Sequence, residues 1–396
     1  MTLGIITKAV SRRLTDESIS VREAAVSLVG THVVQSPAIA NSFQSSLMVC
    51  LSDPGVSVRK RAVKIFQAIL TTNPRFRGRS SVCDSMLRRA ADPKEEDAVR
   101  DLIHDLFTKL WLENGQALVK SSNGINAKIP NGSIAANHST IDAVYSAVDG
   151  SVLGVVTPTS PDDKELKPPV HRKRVDIAAE QMMEVVRVGG SSDHLETLLK
   201  KLLKVADADK AREKSQRKKS AEINHKQCDD LVHSLFELLV SVEERRQVQP
   251  SCIGKDLAAT LQTITAFVEF APETVLNHLD MIMPYLKADN GVSSDEEPLI
   301  LAATCDIIYR VTSALGSRAT IRLTSSSLAN DLVKITYNFG PVPTEAAIRA
   351  LSSIIRHKEA SENCVLNKKM LDLSARFYEF LFKHDEAKDV VLGDVS

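Results

Sequence analysis

Few residues of this 396-residue chain have the types and spacings that chemistry needs. His225, Cys228 and His233 come nearest, in an order that matches part of a metal-ligand set. A structural zinc site needs four donors and no fourth stands nearby, so the cysteine reads as buried and the histidines as solvated. Asp101, His104 and Asp105 share a helical turn, where surface pairing is the ordinary explanation. The sequence has no GxxxxGK[ST] loop to cradle phosphates. It also lacks the GxSxG, HExxH and DxDxDG patterns of a nucleophile elbow, a metalloprotease helix or a calcium loop. The chain reads as no enzyme, with no catalytic residues, no cofactor, no metal and no small-molecule substrate.

What remains is charge. Fifty Lys and Arg balance fifty Asp and Glu, so any nucleic-acid surface must be local. Residues 1–91 hold 13 basic against 5 acidic residues, and residues 92–113 reverse this with 3 against 7. Basic clusters stand at Arg12-Arg13, Arg59-Lys60-Arg61, Arg75/Arg77/Arg79 and Arg88-Arg89. If successive elements bring them to one side, they form a stripe that holds phosphates without reading sequence and weakens with salt. The candidate contacts are Arg59, Lys60, Arg61, Arg12, Arg13, Arg88 and Arg89, with Lys60 and Arg61 first. The bland alternative is a set of solvated helix faces. The stretch from Lys200 to Lys219 holds nine basic residues, and "HRKR" stands at 171–174. Either fits a nuclear-import signal or a charged surface.

The elements that must position these residues show themselves as a repeat. Asp16, Ser20-Val21-Arg22 and Ala25-Val26 return as Asp53, Ser57-Val58-Arg59 and Ala62-Val63, 37 residues later. A weaker third copy runs from Asp92 to Val99-Arg100 with two residues inserted. Periods near 40 belong to solenoids built from helix pairs. Val21, Ala25, Leu28 and Val29 lie at helical spacing, as do Val58, Ala62, Ile65, Phe66 and Ile69, then Val99, Ile103, Leu106, Phe107 and Leu110. An amphipathic stretch precedes each, at residues 3–14, 38–51 and 80–91. Asp16, Asp53 and Asp92 fall where exposed amides open the second helix. Arg22, Arg59 and Arg100 lie about a turn in and can pair with carboxylates of neighbouring units. These six read as a structural ladder.

Residues 1–113 therefore read as three helix pairs. Five glycines, five prolines and seven serines with little periodicity mark 114–170 as a flexible linker or insertion. Helical spacing resumes in 171–396, predicting helices at 175–188, 192–206, 221–248, 254–270, 272–287, 296–315, 325–339, 343–358 and 367–383. No alternating run competes, so the fold class is all-α, an α-solenoid of repeat pairs. No apolar run approaches the roughly 18 residues that span a bilayer. Six cysteines without a CxxC fit a reducing compartment. The first and last elements look cut, and the chain is expected to be a piece of something longer.

The six-residue Asp-to-Arg step, with Val before Arg, resembles the HEAT signature. "AVSRRLTDESISVREAAVSLVG", "LSDPGVSVRKRAVKIFQAIL" and "DLIHDLFTKLWLENG" together resemble the central repeats of the cohesin-loading factors, the Nipped-B-like or adherin group. The likeness continues more thinly through "CDDLVHSLFELLVSVEER", "TLQTITAFVEFAPETVLNHLDMIMPYL" and "AIRALSSIIRHKE". It implies a HEAT solenoid in the nucleus that binds duplex DNA and cohesin subunits, the ATPase heads and the closing subunit. Such a scaffold stimulates the partner's ATPase, promotes loading onto chromatin and meets other chromatin proteins, with no membrane partner. The alternative is a HEAT scaffold without a DNA role, of the transport-receptor or phosphatase-scaffold type.

Overall fold

Proline and glycine punctuate the helices where their backbones allow. Pro37, Pro272 and Pro341 occupy first-turn positions, where a missing amide leaves no bond unmade. Gly316 closes another helix with φ of 56°, a conformation that a Cβ opposes. The computed structural model describes residues 2–34, 36–73, 76–112, 174–208, 214–248, 254–287, 296–323 and 326–356. Among these residues every regular element is helical. The expected linker at 114–170 and helix at 367–383 lie outside them.

The chain divides into two compact units. The first comprises Met1–Gly189 and His194–Arg217, the second Gly190–Asp193 and Lys218–Ser396. The first unit begins with α1 (Thr2–Arg13), α2 (Ile19–Val33), α3 (Pro37–Cys50), α4 (Val56–Thr72), α5 (Arg79–Ala91) and α6 (Asp97–Phe107). A single π-turn, Thr108–Leu112, extends α6. Then come α7 (Arg174–Gly189) and α8 (Asp193–Ala208). Helix α2 packs on α4 and α4 on α6, while α1 meets α3 and α5 meets α7. These are HEAT-type pairs stacked as in an α-solenoid.

The apolar spacing explains the stacking. Val26 and Val29 of α2, Val58, Ala62, Phe66 and Ile69 of α4, and Val99, Ile103 and Phe107 of α6 are all buried. One face of each second helix thus becomes a layer of a shared core, each large side chain contributing about 1.5–3 kcal/mol. The approach of α2 to α4 is close at Gly30, where an added Cβ would lie 2.8 Å from Ile65 Cδ1.

The second unit contains α9 (Lys214–Val248), α10 (Gly254–Phe267), α11 (Pro272–Asn277), α12 (Leu279–Ile282), a 3-10 turn (Met283–Leu286), α13 (Glu297–Leu315), α14 (Ser317–Leu323), α15 (Ser326–Asn338) and α16 (Pro341–Ile355). The helix expected at 272–287 is broken into three pieces, with Pro284 opening the last. Helix α14, seven residues long, was not expected. Helix α13 is long and apolar enough to cross a membrane by length and composition, which corrects the sequence expectation. Here it is the central helix, packed on α10, α11 and α16, with Leu301, Ile307, Ile308 and Val311 buried.

Candidate functional site

The turn within each of the first three helix pairs is closed by an arginine of the following helix. Arg22 donates from Nη1 to the carbonyls of Asp16 at 2.8 Å and Glu17 at 3.0 Å. Arg59 does the same to Asp53 at 2.7 Å and Pro54 at 3.0 Å. Arg100 gives its Nη2 to Asp92 at 3.2 Å and Glu95 at 2.8 Å. Turn carbonyls with no helical partner thereby find donors, and each guanidinium is fixed in orientation.

The first two arginines also reach forward. Arg22 clasps Asp53 of the next pair through Nε at 2.6 Å and Nη2 at 2.9 Å, a two-pronged contact that pushes the arginine pKa up. Asp53 meanwhile accepts from the Gly55 amide at 2.7 Å. Arg59 clasps Glu95, through Nε at 3.1 Å and Nη2 at 2.8 Å. Arg89 donates to the second oxygen of Glu95, and the Glu96 amide lies 2.9 Å from the first. Burial alone would raise this carboxyl, but the hydrogen bonds of Arg59, Arg89 and Glu96 outweigh it and hold the pKa below the ordinary glutamate value.

Glu95 was absent from the sequence-derived ladder, where Asp92 stood. Asp92 instead accepts from the Lys94 amide at 2.9 Å and lies 3.7 Å from Arg89. The two-residue insertion moves the acid that faces Arg59 from the head of the turn to its end. The run Glu95-Glu96-Asp97 was the only hint that a substitute was at hand. Asp16, at the head of the first turn, pairs with Arg13 at 3.0 Å. The Ser18 amide, then Arg13, hold its carboxyl below the ordinary value.

The phosphate-contact candidates separate once their neighbours are seen. Arg59 is 6% exposed and its donors face carbonyls and Glu95, so it belongs to the ladder and offers no face to a phosphate. Arg89 is tied to Glu95, and Arg88 pairs with Asp84 at 2.9 Å while giving a bond to the Gly189 carbonyl at 3.0 Å. Both close the end of α5, where cations suit the helix dipole. Arg12 and Arg13 are exposed at the end of α1. On α4, Lys60 is half-buried and Arg61 exposed, the latter reaching Ser27 Oγ at 2.5 Å and lying 3.7 Å from Glu23. Of the arginine cluster at 75–79, Arg75 lies outside the described residues, and Arg79 donates to the Leu70 carbonyl at 2.6 Å.

The partial metal pattern is described only at Cys228 and His233. Burial pushes the Cys228 thiol up to about 12, which withholds a thiolate. His233 faces His278, ring nitrogen to ring nitrogen at 3.0 Å, and the side chain of His225 lies outside the described set. Among the described residues no three His, Cys, Asp or Glu converge as a metal site would require.

A family model described as "HEAT repeat associated with sister chromatid cohesion" matches residues 1–29, the stretch that carries Asp16 and Arg22. Nipped-B-like protein A of Danio rerio is 25% identical over 348 residues, which cover 88% of this chain and 12% of that protein. The Homo sapiens Nipped-B-like protein is 25% identical over 350 residues, covering 88% of this chain and 10% of its own length. This chain is similar to Nipped-B-like proteins over most of its length. The Drosophila melanogaster Nipped-B protein is 35% identical, over 140 residues that make up 35% of this chain and 6% of the relative. The chain thus spans only about a tenth of the length of these Nipped-B-like proteins. Among solved structures, Kap121p bound to Ste12p aligns over 89% of this chain and 33% of its own at 13% identity, with a TM-score of 0.29.

Proposed function

We propose that this chain is a nuclear HEAT scaffold that helps place cohesin on DNA. The similarity to Nipped-B-like proteins across 88% of the chain carries the reading. In this role the chain itself performs no catalysis. It would favour the engaged state of the partner's ATPase heads and so raise their turnover, which requires that it bind that state more tightly than the open one. Duplex DNA would be held by phosphate contacts from exposed cations, Lys60 and Arg61 of α4 first, then Arg12 and Arg13 of α1. Cohesin subunits, the ATPase heads and the closing subunit, are the protein partners in this reading.

The engagement of Arg88, Arg89 and Arg61 with carboxylates supports a second reading, a protein-binding HEAT scaffold without a DNA role. Co-purification decides between them. Capture of cohesin subunits together with salt-sensitive retention on a duplex supports the first. Capture of a different cargo, with no retention on DNA at low salt, removes it.

A further inference from the structure

Arg22 and Arg59 each reach an acid of the following helix pair, and Arg100 does not. Its Nη1 turns back to Asp97 of its own helix at 2.7 Å, and its Nη2 serves the two turn carbonyls. Among the described residues no carboxylate of α7 or α8 pairs with it. Helix α8 sets His194 and Lys201 there instead. With Arg100 and His104 of α6 they line one recessed cavity of about 240 Å³. Leu87 and Leu198, both buried, supply apolar wall. Among the described residues the one carboxylate on the lining is Asp92, which already accepts from the Lys94 amide and faces Arg89.

Two cations, Arg100 held by its turn and Lys201 exposed, and two imidazoles thus line a small, partly apolar space. We propose that this cavity binds a phosphate monoester carried on a side chain of a partner polypeptide, a phosphoserine or phosphothreonine. The charge fits, because a phosphate near its dianionic form matches Arg100 and Lys201 and takes charge-assisted hydrogen bonds from both. Beyond Asp97 and the carbonyls of Asp92 and Glu95, the guanidinium of Arg100 still has its Nε–H and one Nη1–H to give. Size fits as well. The cavity lies just under the roughly 300–1,000 Å³ of small-molecule sites, room for one side chain. A duplex phosphate, tied to sugars on both sides, is bulkier than a phosphorylated side chain and fits this space less well. Electrostatics agree: burial first, then Lys201 and Arg100, push the His104 imidazole down against the opposing pull of Asp101. An anion seated among Arg100, Lys201, His104 and His194 reverses that push, with Asp92 and Asp101 unchanged.

The test follows the imidazole resonances of the full chain by NMR, assigned with His104→Gln and His194→Gln, as phosphoserine, serine or inorganic phosphate is added. Phosphoserine is expected to shift both histidines, to raise the His104 pKa and to bind more tightly than inorganic phosphate, while serine does nothing. Lys201→Glu, at an exposed position, should weaken phosphoserine about tenfold or more with the melting temperature unchanged. Absence of shifts at His104 and His194, an unchanged affinity in Lys201→Glu, equal or tighter binding of free phosphate, or displacement of phosphoserine by a short duplex would each overturn the assignment. The outcome is independent of whether cohesin is the partner.

Discussion

Arg59 and Glu95 stand 2.8 Å apart across two helix pairs, with side chains 7% and 0% exposed. Breaking one side of such a pair leaves a charge enclosed without its counterpart, at a cost of about 3–5 kcal/mol. Replacing both by apolar residues of similar volume is often nearly neutral. Arg59→Met and Glu95→Leu are each expected to lose about that amount, and the double change to lose less than their sum, short of full recovery because Arg89 and the carbonyls of Asp53 and Pro54 are left without these partners. Trp111, the one tryptophan of the chain, is buried against Phe107 in the same unit, so its fluorescence during urea unfolding reads the cycle.

The acid limb of stability should carry the same signature. The Glu95 carboxyl titrates below its ordinary value of 4.5, so the folded state holds fewer protons than the unfolded one around that pH. Its contribution is complete above about 4.5 and is lost as pH falls through the lowered value in the folded protein. Urea midpoints of the native chain should therefore drop on acidification more steeply than those of Glu95→Gln. Parallel curves would show that the ladder acid contributes nothing to acid unfolding.

Gly316 and Gly340 make a matched pair for a backbone test. Gly316 has φ of 56° and ψ of −132°, whereas Gly340 has φ of −67°. An added Cβ at Gly340 meets nothing within 4 Å. Gly316→Ala is expected to destabilise the second unit by about 1–2 kcal/mol, the cost of forcing an L-residue into that half of the map. Gly340→Ala should stay within about 0.5 kcal/mol. Calorimetry of the two variants checks the contrast.

Charge reversal distinguishes surface cations from ladder cations. Lys60→Glu with Arg61→Glu should weaken duplex binding and lower the slope of log K against log salt by about two, with stability changed by less than about 1 kcal/mol. Arg89→Glu sets a second carboxylate against Glu95 and should instead lower the melting temperature. A double reversal on α4 that leaves the salt slope untouched would remove these two residues from the DNA surface.

The helices were legible because their cores are periodic: Val58, Ala62, Phe66 and Ile69 announce the buried face of α4 without help from elsewhere. Arg22 and Arg59 were legible as ladder residues because the repeat placed each at a fixed distance from its turn. The partner of Arg59 was not, since the insertion after Asp92 changes which carboxylate faces it, a matter of turn geometry. Arg88 and Arg89 read as free cations in sequence because Asp84, Glu95 and the Gly189 carbonyl come to them only through packing. The short α14 escaped because seven residues show too little period to mark a helix. The cavity beside Arg100 was invisible for a similar reason: His194 and Lys201 join it from some ninety residues away.

The clasp between turns has a sense of travel. The first two guanidinia grip their own bends and hand their remaining donors to the acid that follows, so Arg22 meets Asp53 and Arg59 meets Glu95. Such a grammar survives loss of a whole module, because Arg22 would then find the acid formerly reserved for Arg59. It does not survive reversal of module order, since an acid at the wrong end has no donor pointing at it. Duplication or deletion in whole periods is thus the kind of change in length that this stretch of chain can absorb without leaving a buried ion alone.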